Sequence, residues 1–509
     1  MLVRSRRHGL TAIGVAALLT GCATVHPVLD TPQINKMLAA RGAPALGWDK
    51  AAGGEDSALV AGWLAEPLTA ERAVRVAMLR SPRLQQDYAR LGLARADIME
   101  AVQIANPRIG LSTLALGNGS GSQFSVGIAM PLVDLLVLPS RVKLARSDFE
   151  RAKLDIAATV LAVSFDIEQD WYEYVGAQQV ADMRQAVAAA LATSAELAKR
   201  FFDAGNISEL QLKREEAVAA EARISAARAL VAARMARLKL NLAIGLSGQE
   251  ASWQTAGRLP LPVVQEDDPA DLMRIATVGN LELLAAHREV DILSDVAGIS
   301  RKFRLLGGTE IGYDREREVG GSVIRGPTLN LELPIFNQGG AKVARADAHL
   351  LQARARLAEL QLKTDNMVRL GAERVRVLSD IVQTHRAALI PAREKIVARS
   401  QQEQNFMLIG VFELIQAKTQ EYDAYQGYLE AIRDYWVARL DLMRAIGARL
   451  PSDQQATADT AGVSEILAPQ GAAVDHSAHG SHGAAATPST DPAPPSPESP
   501  PHHHHGDPK

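Results

Sequence analysis

The chain has 509 residues, with 55 Lys+Arg against 58 Asp+Glu and a formal charge of −3; 47% of residues are hydrophobic, 22% charged and 4% aromatic. That much apolar material excludes a wholly disordered chain, and the near-balance of charge argues against a nucleic-acid binder. The single Cys excludes an intramolecular disulfide and a Cys-cluster metal site, and no apolar run reaches the ~18 residues of a transmembrane helix. Abundant Ala, Leu, Arg and Glu with few aromatics predict long helices.

At the N-terminus, Arg4, Arg6 and Arg7 precede the apolar stretch Leu10–Leu19, followed by Thr20-Gly21-Cys22. A basic start, a short apolar core and small residues make a secretory signal, residues 1–21. The Leu-x-Gly-Cys ending resembles a bacterial lipobox. It implies cleavage before Cys22 and a diacylglycerol on its thiol, with each buried CH₂ contributing roughly 0.8 kcal/mol to anchoring. Ala23, rather than Asp, implies the outer membrane. The alternative is an ordinary signal peptide with an incidental Cys.

After a lipidated segment at 22–65, the same order of features occurs twice. In the first half Asn106-Pro107-Arg108 opens an extended region and Phe124–Met130 runs to Pro131. A long helical stretch, FFDAGNISELQ around Gly205, a second helix and Ile244-Gly245 follow. In the second half Phe303–Asp314 is read as extended and Thr328–Leu333 runs to Pro334. A long helical stretch, NFMLIGVFELIQ around Gly410, another helix and Ile446-Gly447 follow. The extended segments alternate: Phe124, Val126, Ile128 and Met130 oppose Ser125, Gly127 and Ala129, while Ile311 and Tyr313 oppose Glu310 and Asp314. Amphipathic strands of about ten residues suit a transmembrane barrel; the alternative is a half-buried pair in a soluble domain. Heptad stripes run through the helices: Val142, Phe149, Ile156, Val163; Leu210, Ala217, Ile224, Val231, Leu238; Val368, Val375, Val382, Leu389, Ile396; and Ile415, Tyr422, Leu429, Trp436, Met443. They predict helices packed side by side. Gly205 and Gly410 are expected as left-handed C-caps, and Pro391 as a bend. Four strands cannot close a barrel and open edges are not tolerated in lipid, so copies must share one. Three copies, with twelve strands, make the smallest assembly with a usable hole.

The lipobox, the duplicated strand-hairpin and helix-hairpin unit, AMPLVD and ELPIFNQG before the long helices, and the Gly-centred tips resemble the TolC family of outer-membrane efflux proteins over roughly residues 66 to 450. The resemblance implies a mainly α fold with a membrane β part. A trimeric outer-membrane β-barrel, four strands per chain and twelve in total, would continue into a long periplasmic α-helical barrel. Repeat 1 would span 66–257 (strand hairpin about 104–131, helical hairpin about 134–245) and repeat 2 258–450 (301–334 and 338–449). The family is a passive exit duct that docks on a periplasmic adaptor (membrane fusion protein) and an inner-membrane pump. The rival reading is a lipid-anchored periplasmic coiled-coil scaffold without a pore.

Glu413 and Gln416 stand where the resemblance places the constricting acidic pair, although Gln416 departs from it; Glu209 follows the first tip. Their alternative role is as solvated first-turn residues favoured by the helix dipole. The resemblance puts adaptor docking at Gly205, Asn206, Ile207, Gly410, Val411 and Phe412, of which Ile207 and Phe412 could instead staple the turn. The tail 451–509, rich in Pro, Ala and His, reads as disordered. It carries His476, His479, His482 and His502, His503, His504, His505, seven of twelve His. Such density can hold metal ions loosely, which suits a heavy-metal, CusC- or CzcC-like, branch; a tag remnant is the alternative for the tetra-His run. No other cofactor is expected. No phosphate loop, nucleophile elbow or HExxH is present, and His287, His349 and His385 stand singly, so no catalytic site is expected.

Overall fold

The computed structural model describes residues 31–45, 54–115, 117, 121–255, 257–305, 308–455 and 459–467. Cys22 and the His-rich tail lie outside them. Two short helices, α1 (Thr31–Ala39) and α2 (Gly54–Ala65), lead into a series of elements that occurs twice. The first pass is α3 (Ala70–Arg80), α4 (Pro82–Val102), β1 (Arg108–Ala115), β2 (Ser122–Pro131), α5 (Leu132–Asp203) and α6 (Glu209–Ile244). The second is α7 (Pro269–Gly279), α8 (Leu281–Lys302), β3 (Glu310–Arg317), β4 (Val323–Asn330), α9 (Gly340–Thr384), α10 (Ile390–Asn405) and α11 (Val411–Ile446).

The leading helix pairs show the duplication at atomic detail. Ser81 ends α3 and begins α4 with φ −66°, ψ 115°; Asn280 ends α7 and begins α8 with φ −67°, ψ 118°. The Asn280 carboxamide oxygen accepts from the Glu282 and Leu283 N–H groups and so caps α8. Each pass closes on a left-handed glycine that packs against its own hinge. A Cβ on Gly245 (φ +75°) would lie 2.6 Å from the Arg80 carbonyl oxygen, and one on Gly447 (φ +71°) 3.0 Å from Asn280 Cα. No L side chain fits either the dihedral or the space.

Helix α5 runs 72 residues without a break, about 108 Å at 1.5 Å per residue. Its middle is buried on nearly all sides from Ile156 to Val175, packed by α3, α4, α6, α8 and α11. The core there is closed by aromatics with satisfied polar ends. Trp171 Nε1 donates to the Leu68 carbonyl at 2.9 Å, Trp253 Nε1 to Asn241 Oδ1 at 2.7 Å, and Trp436 Nε1 to the Pro260 carbonyl at 2.6 Å. The Tyr172 and Trp436 rings stack at 5.5 Å.

The second long helix is broken where Pro391 was expected to bend it. A π-turn at His385–Leu389 separates α9 from α10, and Pro391 sits in the first turn of α10. The wider turn accommodates the ring and the missing N–H. His385 lies against Gly427, where a Cβ would come within 2.9 Å of its Cε1.

The strand boundaries are corrected in the second pass. Phe303 is not extended: it caps the end of α8, its N–H donating to the Ile299 carbonyl, and β3 begins at Glu310. Strand β4 ends at Asn330, before Leu331 and Leu333. The four strands form one antiparallel sheet in the order β1-β2-β3-β4, so the two hairpins join through β2 and β3. Within the described residues β1 and β4 are its open edges. No described helix is long and apolar enough to cross a membrane.

The stripe Leu210, Ala217, Ile224, Val231, Leu238 was expected to pack helices side by side; within this chain it has no helix against it. Ile224, Val231 and Leu238 are 52%, 58% and 62% exposed, and α6 instead buries Leu212, Ala226, Ala233 and Leu240, a second seven-residue series, as it packs along α5. Of the stripe Val368, Val375, Val382, Leu389, Ile396 the three valines are buried, whereas Leu389 and Ile396, beyond the π-turn's start, are exposed; of the last stripe Leu429, Trp436 and Met443 are buried and Ile415 and Tyr422 half-buried.

Candidate pore-lining face and helical tips

The register sorts the sheet into two faces, since residues directly opposite point the same way. One carries Ile109, Leu111 and Thr113; Phe124, Val126, Ile128 and Met130; Ile311, Tyr313, Arg315 and Arg317; and Val323, Arg325, Pro327 and Leu329. Apart from its arginines this face is nearly all apolar. The other is polar or small except for Leu114 and Ile324, both near the turn end of the sheet. Arg108 Nη1 donates to Glu310 Oε1 across it at 2.7 Å. Asp314 stands in a row with Gly110, Gly127 and Gly326, its direct or next neighbours across the sheet. Its carboxylate lies over Gly127, where a Cβ would be 2.0 Å from Oδ1. Glu316 follows Asp314 on the same face. Alternation in the sequence places Asp314 on the polar side; the glycine row around it depends on strand register and is not visible in the sequence.

At the far end of α5 the chain turns through Ala204–Ser208. Gly205 takes φ +77°, and the Gly205 and Asn206 N–H groups donate to the Phe202 and Phe201 carbonyls, both at 2.8 Å. This is the left-handed cap that was expected. Ser208 then caps α6, its hydroxyl accepting from the Gln211 N–H at 3.2 Å.

The second tip corrects the expectation for Gly410. Gly410 is extended (φ −77°, ψ 156°) and is the N-cap of α11. The left-handed position is Met407 (φ 59°), and the Met407 and Leu408 N–H groups donate to the Gln404 and Glu403 carbonyls at 2.9 Å. Met407 is therefore the counterpart of Gly205, and Gly410 of Ser208. Met407 lies as far from Gly205 in sequence as Gly447 does from Gly245. Matching glycine to glycine put the tips out of register by three residues.

The tips meet within the chain: the Phe201 and Phe412 rings are edge-to-face at 6.2 Å. Phe412, Val411 and Ile207 are half-buried, whereas Asn206 is exposed. Phe406, Met407 and Leu408, not singled out by the sequence, stand exposed together. Glu413 and Gln416 are exposed and one turn apart on α11, and Glu209 is exposed in the first turn of α6. His287, His349 and His385 are not brought together, and no group of three or more His, Cys, Asp or Glu that could hold a metal exists among the described residues.

No family model matches the chain, and no curated protein matches it in sequence. Among solved structures it is similar to a membrane protein from Pseudomonas aeruginosa, at 18% identity and TM-score 0.62, covering 74% of this chain and 93% of that one. It is similar to CusC, whose structures are described for transmembrane channel formation, at 14% identity and TM-score 0.61, covering 74% and 92%. It is also similar to the outer membrane protein VceC from Vibrio cholerae, at 14% identity and TM-score 0.61, covering 75% and 96%. The fold is that of an outer-membrane channel. Those structures belong to the TolC family, in which CusC represents one branch among several.

Proposed function

We propose that the chain is one subunit of a trimeric outer-membrane exit duct, which receives its cargo from a periplasmic adaptor and an inner-membrane pump. The observation that carries this reading is the four-stranded sheet, largely apolar on one face, largely polar or small on the other and open at β1 and β4. Unpaired edges and an apolar face are both unfavourable in water. Pairing β4 of one copy with β1 of the next removes the edges, and a threefold ring of twelve strands leaves a hole. The exposed heptad stripe of α6 supports the same assembly below the sheet, as a seam for a neighbouring copy.

With the polar face inward, Asp314 and Glu316 of three copies line the lumen and favour cationic cargo. The pump, rather than the duct, selects between metal ions and drugs. Glu413 closes the periplasmic end as a ring of three carboxylates. Purified full-length protein is expected to run as a trimer and to conduct in planar bilayers with cation preference. Glu413→Ala is expected to raise conductance and weaken block by multivalent cations. A water-soluble monomer without conductance would overturn the duct, and unchanged block in the variant would remove Glu413 from the gate. We further propose acylation at Cys22 and loose metal binding by the tail. Mass spectrometry of the mature N-terminus checks the first, and metal tolerance of cells expressing the chain without residues 471–509 checks the second.

A further inference from the structure

We propose that the outward rim of the apolar sheet face binds a phosphate-bearing membrane lipid through Arg315, Arg317 and Arg325. This rests on the outer-membrane reading above. The register sets Arg315 directly opposite Arg325, with Arg317 two residues further on at the last rung before the turn Glu318–Ser322. Like charges directly opposite in a sheet repel, and here nothing of opposite sign relieves them. The apolar face carries no Asp or Glu on any of its four strands. Among the described residues none of the three guanidiniums has an ion pair or a side-chain hydrogen bond, and all three are exposed. The acidic residues of β3, Glu310, Asp314 and Glu316, alternate onto the opposite face. An anion supplied from outside the chain is the missing partner.

The depth of the cluster says where that anion lies. The helices join the sheet at one end, so the turn beyond Arg317 and Val323 is the end farthest from them, the external end of a duct. Going outward along the apolar face, Leu329 and Pro327 precede Arg325 on β4, and Ile311 and Tyr313 precede Arg315 on β3. The three arginines thus stand at the outward end of the apolar rows, beside Tyr313 and Phe124, where the apolar band of a barrel gives way to the headgroups. Guanidinium pairs recognise phosphate through parallel N–H donors. In the outer leaflet of an outer membrane the phosphate-rich lipid is a lipid A-type glycolipid, and this is the occupant.

The test uses full-length protein in phosphatidylcholine nanodiscs doped with bisphosphorylated lipid A, with retained lipid read by native mass spectrometry. The triple variant Arg315→Gln, Arg317→Gln, Arg325→Gln is expected to retain it about a hundredfold more weakly, roughly fivefold per charge. The triple Lys variant is expected to keep it, and dephosphorylated lipid A to be lost from wild type. Conductance in pure phosphatidylcholine bilayers is expected to be the same for wild type and the Gln variant. Equal retention by the Gln variant, or equal retention of the dephosphorylated lipid, overturns the lipid site and leaves the duct standing. Failure of the wild type to insert and conduct overturns both.

Discussion

Replacing Ile224 and Val231 together by Lys is expected to abolish the assembled channel while leaving the single chain folded. Both residues are more than half exposed on α6, one heptad apart, in line with Leu210, Ala217 and Leu238. Inside the chain the work of holding α6 to α5 falls to Leu212, Ala226, Ala233 and Leu240, on a different stripe. Surface changes that touch no internal contact shift stability by about 0.5 kcal/mol or less. At a subunit seam the arithmetic differs. Each apolar side chain buried there contributes about 1.5–3 kcal/mol, and a Lys in its place must be desolvated without a partner. In the proposed trimer, threefold symmetry repeats both losses in every seam. Size-exclusion chromatography with light scattering is expected to show the monomer, circular dichroism an unchanged helix content, and planar bilayers no conductance. A persistent trimer would show that the seam lies on another face.

Arg439→Ala is expected to destabilise the folded chain by about 3–5 kcal/mol, the range for breaking a buried ion pair. Arg439 is 0% exposed. Its Nη2 donates to Ser452 Oγ and Asp453 Oδ1, both at 2.7 Å, and its Nη1 pairs with the Glu266 carboxylate. The guanidinium also lies over the Tyr435 and Trp436 rings, at 5.7 and 5.5 Å. Glu266 comes from the link between the two passes and Asp453 from the turn after α11, so one side chain holds three segments. Asp267 adds a 2.5 Å hydrogen bond from the Ser452 hydroxyl. Arg439→Lys retains the charge without the forked donors and is expected to lose less.

The loss in Arg439→Ala is expected to depend on pH. Burial raises the Asp453 carboxyl above its ordinary 3.8, although Arg439 and Arg449 pull it down. The folded chain therefore holds that proton more tightly than the unfolded chain. Its favourable contribution is complete below 3.8 and declines as pH rises through the folded value. Removing Arg439 removes the largest opposing influence and raises Asp453 further. Denaturant melts of the variant and wild type are thus expected to diverge more at pH 7 than at pH 4. Parallel loss at both pH values would show that packing on the two rings, rather than charge, dominates.

How legible each feature was in the sequence follows from how local its cause is. The 72-residue α5, the alternating β2 and the left-handed Gly205 each depend on a few adjacent residues, and each could be read directly. The leading pairs α3–α4 and α7–α8 escaped notice because Ser81 and Asn280 share a backbone conformation rather than a residue type. Gly410 misled for the complementary reason: a glycine is permissive, and this one takes an ordinary extended conformation while Met407 accepts the rarer one. The rim arginines were invisible because Arg315 and Arg325 become opposite only once β3 and β4 pair.

By itself the sequence determined the periodicities: seven along the helices, two along the strands, and the order of both, twice over. These follow from the geometry of a single backbone, in which a side chain's direction is set by its position in the turn or pleat. Tertiary structure alone decided which stripe of α6 is spent on α5 and which stays exposed. It also decided that two hairpins far apart in the chain share one sheet, and which charges that sheet brings face to face. Those outcomes depend on competition between surfaces, where an apolar stripe has no preferred partner until the shapes of all the candidates are set against it.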